Sequence, residues 1–148
     1  MAVAPPPARP DRKPPAATGD GKLERDRLRF MMLSRRLEER IYVEYTKPGQ
    51  KIGGFCHLYS GQEAVSTGIA AVFDKTRDAL INGYRCHSHS LALGMSPRTI
   101  VAELFGKATG CSKGKGGSMH LFQAEHGNHG DPEHAQVGQQ RPAKLLGA

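Results

Sequence analysis

Apolar residues at Phe30, Leu33, Leu37, Ile41 and Tyr45 recur at intervals of three and four, which sets them on one face of a helix. The pattern predicts a helix over 22–46, stopped by Pro48 and Gly49. A second helix is expected where Ser60 and Glu63 stand at capping-box spacing, the hydroxyl taking a free N–H of the first turn while the carboxylate reaches back. It should run to about Phe73, with Val65, Ile69 and Val72 on its buried side and Gly68 admitting a close neighbour. Ala79, Leu80 and Ile81 form a short apolar run before Asn82 and Gly83, which suits a buried parallel strand ending in a turn. Farther on, Ser96 and Pro97 give a cap and a first-turn proline, Ile100, Val101, Leu104 and Phe105 share a face, and Gly106 supplies a left-handed stop.

Outside these elements the composition changes. Prolines at 5, 6, 7, 10, 14 and 15 remove backbone donors and fix extended torsions, so 1–21 reads as a disordered Pro/Ala-rich tail. Residues 123–148 follow neither helical nor alternating periodicity and read as a second, poorly ordered tail. One domain is therefore expected over 22–122, and no internal repeat is found. The net charge of +7 and pI near 9.6 would suit a phosphate-bearing partner, but the basic residues are interleaved with acids, which argues against nucleic acid. Cys56, Cys86 and Cys111 make an odd count without a secretory signal, as expected of reduced thiols in a cytoplasmic-type compartment. No apolar run approaches the roughly 20 residues of a membrane span. Asp11, Asp20 and the prolines disfavour a transit peptide, so a bacterial-type cytoplasm is expected ahead of a mitochondrial matrix.

Three stretches carry candidate chemistry. The segment KATGCSKGKGGSMH has glycines whose N–H groups could face an anion, and lysines to add charge. Lys115 is followed by Gly116, where a phosphate-binding loop needs Ser or Thr, and Met119 stands where a dinucleotide fingerprint needs glycine. A mobile basic surface loop is the expectation. Cys56-His57 and Cys86-His87-Ser88-His89, with Cys111 or His120, could feed a zinc site. The usual cysteine spacing is absent, so a small zinc-stabilised or partner-binding module stands as the alternative class. Tyr84-Arg85 follows the expected strand, where ligands of open parallel sheets gather; arginine can fork onto phosphate and tyrosine can add a neutral donor. Taken singly, a surface Arg, a half-buried Tyr and a packed His57 are the commoner readings.

Joint occurrence and order alter that balance. GGFCHLYSGQEA at 53–64, GYRCHSHSLALGMSPR at 83–98, VAELFGK at 101–107 and CSKGKGGSMHLF at 111–122 resemble consecutive segments of the alpha subunit of the thiamine-diphosphate-dependent 2-oxo acid dehydrogenases, pyruvate dehydrogenase first component above all. Acetoin dehydrogenase alpha subunits are also close. The likeness covers about 23–122 and is most specific from Gly53 onward. It implies part of an α/β thiamine-diphosphate-binding fold, a parallel sheet flanked by helices, in an assembly holding each cofactor between alpha and beta subunits. The implied reaction is oxidative decarboxylation of pyruvate with transfer of the acetyl group to lipoyl, and the implied partners are a beta subunit and the dihydrolipoyl acetyltransferase core. By the same resemblance Tyr84 and Arg85 hold the cofactor diphosphate and His57 lies beside the substrate as the catalytic residue, while His87 and His89 line the same entrance. The glutamate that activates the cofactor belongs to the beta subunit in this family; Glu63 is not its counterpart.

The resemblance then breaks. GNHGDPEHAQV stands where a GGHGIVGAQV-like segment belongs, GQQRPAKLLGA matches nothing, and the later GDG…N magnesium motif is absent. Magnesium bridges diphosphate oxygens to protein, so a truncated chain is expected to hold the cofactor weakly and to have no dehydrogenase activity alone. A partial parallel sheet with an uncovered edge should also aggregate or depend on another subunit.

Overall fold

The computed structural model describes residues 19, 21–74, 78–124 and 128. Four helices follow one another, α1 (Lys22–Thr46), α2 (Glu63–Ala70), α3 (His87–Ala92) and α4 (Pro97–Leu104). No β-strand occurs among the described residues, so the parallel sheet flanked by helices is not the architecture of this part of the chain. Leu80, in the expected strand, makes one isolated parallel bridge to Asn128, which also bridges Gln123 in the antiparallel sense. A ladder needs partners at successive residues. Leu80 has a partner at one position, and Ile81 beside it is 62% exposed. The two expected tails fall outside the described residues apart from Gly19, Gly21, Gln123, Ala124 and Asn128.

Helix α1 occupies the predicted span, and Leu37 and Ile41 are buried in a core with Ile52, Cys86, Leu91, Met95, Ile100, Leu104 and Leu121; Phe30 and Tyr45 pack against its rim. The buried stripe is turned by one residue from the expected one. Leu33 is 46% exposed, whereas Ser34 is 1% exposed. The Ser34 hydroxyl donates to Ser88 Oγ of α3 at 2.7 Å, and Ser66 of α2 lies 2.7 Å from the same oxygen. Three small hydroxyls thus join three helices at close range, and each is satisfied where a buried hydroxyl must be.

Helix α2 departs further from expectation. Its N-cap is Gln62 and no side chain caps it; Glu63 instead accepts from the Gly61 N–H at 3.0 Å and takes a two-pronged ion pair from Arg35 of α1, at 2.6 and 3.1 Å. Glu63 and Ser66 are the buried residues, while Val65 and Val72 are 54% and 82% exposed and a Cβ on Gly68 would meet nothing within 4 Å. The charge and hydroxyl contacts to α1 and α3 turn the polar side inward. The valine side is left uncovered among the described residues.

The Arg35 guanidinium holds the Glu63 carboxyl down at about 2, well below its ordinary 4.5. A folded-state value below the unfolded one adds stability above the unfolded value, and that stability is lost as pH falls through the folded one. The denaturation midpoint should therefore fall on acidification from about pH 5 to pH 3, and fall less steeply in Glu63→Gln. Parallel slopes for the two proteins would show that the pair contributes nothing to acid sensitivity.

Helix α4 follows its punctuation. Ser96 accepts the Thr99 N–H at 3.1 Å, Pro97 begins the first turn, and Gly106 turns with φ 65°. Helix α3 has six residues and buries His87, Ser88, Ser90 and Leu91. It leads directly from Tyr84-Arg85 into the core.

Candidate functional site

The glycine-rich segment does meet an anion, and the anion is internal. Glu103 on the buried side of α4 accepts N–H groups from Ser112 at 2.8 Å and Gly114 at 2.9 Å through Oε2, and from Gly116 at 2.7 Å and Gly117 at 3.3 Å through Oε1. The loop wraps its own carboxylate as an anion nest wraps a phosphate. Three glycines are required by space: a Cβ at Gly110 would lie 2.3 Å from Glu103 Oε2, one at Gly114, where φ is 76°, would lie 2.3 Å from the Gly106 carbonyl carbon, and one at Gly116 would lie 2.7 Å from the His120 carbonyl oxygen. With these amides engaged, Lys113 and Lys115 are left exposed on the outer surface.

Ser118 leaves this loop into the interior. Its Oγ accepts the His57 backbone N–H at 2.9 Å and stands 2.9 Å from His87 Nε2. His87 Nδ1 lies 3.0 and 3.1 Å from the two carboxylate oxygens of Glu38 on α1. His87 is 0% exposed, and Glu38 and Ser118 are buried with it. His87 therefore does not line an entrance.

His57, Tyr84 and Arg85 come together on the surface above this buried chain. The His57 and Tyr84 rings are tilted at 54° with centroids 4.6 Å apart, and the Arg85 guanidinium carbon lies 5.8 Å from the Tyr84 centroid. Arg85 donates through Nη1 to the Leu58 carbonyl, next to His57. A guanidinium carries five N–H donors, so one carbonyl leaves most of the fork available to an anion. Tyr84 is half exposed and Arg85 exposed, so a ligand can reach both.

His89 is half-buried, with its ring edge-on to Tyr59 and Nε2 3.1 Å from the Tyr59 hydroxyl. Its Nδ1 is buried without a hydrogen-bond partner, and burial lowers its pKa. Burial pushes the Cys86 thiol up to about 12, and raises Cys56 and Cys111 as well, so none is prepared as a thiolate. Among the described residues no three His, Cys, Asp or Glu side chains are grouped to hold a metal ion, which removes the support for the zinc-stabilised alternative.

The family model for the dehydrogenase E1 component matches residues 29–147, a stretch containing all three surface residues and the buried chain beneath them. The chain belongs to the dehydrogenase E1 component family. Its relatives include the pyruvate dehydrogenase E1 component subunit alpha of Zymomonas mobilis, 52% identical over 98 residues that make up 66% of this chain and 27% of the relative. The subunit of the same name from Rickettsia prowazekii is 50% identical over 112 residues, 76% of this chain and 33% of the relative. That from Rhizobium meliloti is 52% identical over 105 residues, 69% and 29% respectively. The chain spans about a quarter to a third of the length of these E1 relatives.

Sequence reasoning singled out the three surface residues and missed the E1 chain's buried network. Glu103 and Ser118 lie within matched segments but were given no role, and Glu38 lies outside those segments. An acid on an apolar helix face needs buried partners, and Glu103 between Ala102 and Leu104 was the available signal.

Proposed function

We propose that this chain is part of the alpha subunit of a pyruvate dehydrogenase first component, and that His57, Tyr84 and Arg85 form its share of a thiamine diphosphate site. The carrying observation is that two segments 27 residues apart place an exposed guanidinium, a phenol and an imidazole on one corner. Arg85 suits the charge and fork geometry of a diphosphate, and Tyr84 adds a neutral donor. His57 beside them can donate to, or take a proton from, an oxygen on the reacting carbon. Thiamine diphosphate supplies the electron sink that lets a 2-oxo acid lose carbon dioxide. The residues fit that cofactor's diphosphate end. The family membership and the pyruvate dehydrogenase names of the relatives favour pyruvate over acetoin as substrate, with acetyl transfer to lipoyl.

The same reading gives the partners as a beta subunit, which would complete the site, and the acetyltransferase core. It places the chain in a bacterial-type cytoplasm. No described helix is long and apolar enough to cross a membrane. Calorimetric titration of thiamine diphosphate with magnesium into the chain assembled with the beta subunit tests the proposal. Arg85→Ala should weaken binding by about 10- to 100-fold, as expected for losing charge-assisted bonds, and Arg85→Lys should recover only part. Wild-type affinity in Arg85→Ala would remove Arg85 from the site.

A further inference from the structure

We infer that Ser118, held by the buried Glu38–His87 pair, is a positioning residue for His57. The inference rests on the assignment of His57 to the reacting end of the site and adds the residues that aim it. A serine hydroxyl has one hydrogen to give and can accept others. The His57 N–H already points at Ser118 Oγ, so the serine hydrogen is free to go to His87 Nε2, 2.9 Å away. With the serine hydrogen given that way, Nε2 is bare and the ring hydrogen sits on Nδ1, facing the Glu38 carboxylate at 3.0 Å; with a hydrogen on Nε2, the Ser118 carbonyl 3.1 Å away accepts it. In either state the imidazole holds Ser118 on one side and Glu38 on the other, and Ser118 Oγ accepts the His57 amide.

Such a chain is fixed at both ends. Glu38 is set on the long helix α1, and Ser118 follows the loop clamped by Glu103. Cys86, whose Sγ lies 3.6 Å from the Ser118 and Met119 carbonyls, packs beside it. The neighbouring backbone of His57 also carries the Leu58 carbonyl that receives Arg85. One serine hydroxyl thus bears on both the direction of the imidazole and the seat of the guanidinium. A full hydrogen-bond complement in a buried network is what allows it to specify one geometry.

The test compares wild type, Ser118→Ala and Ser118→Thr, each as the full chain and as the complex with the beta subunit. In the chain, His57 amide exchange should quicken by about tenfold in Ser118→Ala. In the complex, the contact between the His57 and Tyr84 rings, read as nuclear Overhauser intensity, should weaken by about twofold or more in Ser118→Ala, with Ser118→Thr restoring most of both. Should the alanine variant not fold, Ser118→Cys keeps the volume and weakens the bonds, and should give the same pattern in smaller degree. Unchanged His57 exchange with an unchanged His57–Tyr84 ring contact in any folded variant lacking the hydroxyl overturns the inference. Altered His57 exchange in a wild-type complex that binds no thiamine diphosphate would leave the positioning role standing and sink the functional assignment instead.

Discussion

Replacing Glu103 with alanine is expected to cost about 3–5 kcal/mol of folding stability, because it strips the partner from a set of converging amides. The carboxylate accepts from Ser112, Gly114, Gly116 and Gly117, and no water-sized substitute reproduces two oxygens at those spacings in a buried position. The loop's other ties are local turns, Lys113 N–H to the Gly110 carbonyl and Lys115 N–H to the Ser112 carbonyl, and the Ser112 hydroxyl on the His120 carbonyl. Lys113 holds φ at 56°, a conformation that a residue with a Cβ adopts only when the surroundings impose it. Glu103→Gln should lose less, since one amide oxygen still accepts while the NH2 faces donors it cannot pair with. Urea denaturation gives the stability differences, and hydrogen exchange at Gly114 and Gly116 locates them. A loss under about 1 kcal/mol in Glu103→Ala, with protection at those amides retained, would mean that the loop closes without its anion.

This loop marks where the sequence was readable and where it was not. Its composition raised backbone N–H groups gathered on an anion, its spacing set that aside for a mobile basic surface loop, and the loop is instead closed on Glu103, because composition contains no information about which distant helix a loop packs against. The helices divide along similar lines. Helix α4 was legible through Ser96, Pro97 and Gly106, whose effects are local, and α1 through a period sustained over many turns. Helix α3 is six residues long and buries two serines and a histidine, so neither length nor apolar periodicity could announce it.

The orientation of α2 failed for a related reason. A hydrophobicity rule assigns Val65 and Val72 inward, whereas Arg35, Ser34 and Ser88 supply partners that draw Glu63 and Ser66 inward instead. Burial of polar groups is decided by partners from other elements, and a single periodic pattern cannot see them. The expected sheet fell with Leu80, whose single bridge gives no ladder. The surface trio is intermediate. The nearness of His57 to Tyr84 was not derivable from spacing, and entered through the likeness of ordered motifs, whereas the donor chemistry of Tyr84-Arg85 could be argued from residue type alone.

Glu38 gives the second large effect and also fixes the charge on its partner. Removing one member of a buried hydrogen-bonded pair costs about 3–5 kcal/mol, since the remaining group keeps its desolvation and loses its compensation. Glu38→Ala should therefore destabilise the chain by about that amount, with His87 left facing an empty space on its Nδ1 side. Glu38→Gln separates two states of the histidine. With a neutral ring carrying hydrogen on Nδ1, the glutamine oxygen accepts as the carboxylate did, and the loss should stay below about 1.5 kcal/mol, the worth of one ordinary hydrogen bond. With an imidazolium, glutamine removes the only carboxylate described against a fully buried cation, and the loss should approach that of alanine. The first result sets a bare Nε2 against the Ser118 hydroxyl at 2.9 Å. Equal losses for Glu38→Gln and Glu38→Ala in urea titrations would put a hydrogen on Nε2, where the Ser118 carbonyl at 3.1 Å accepts it. A small loss for glutamine and a large one for alanine would instead tie the fold's most buried ionisable pair to the geometry of the surface histidine it supports.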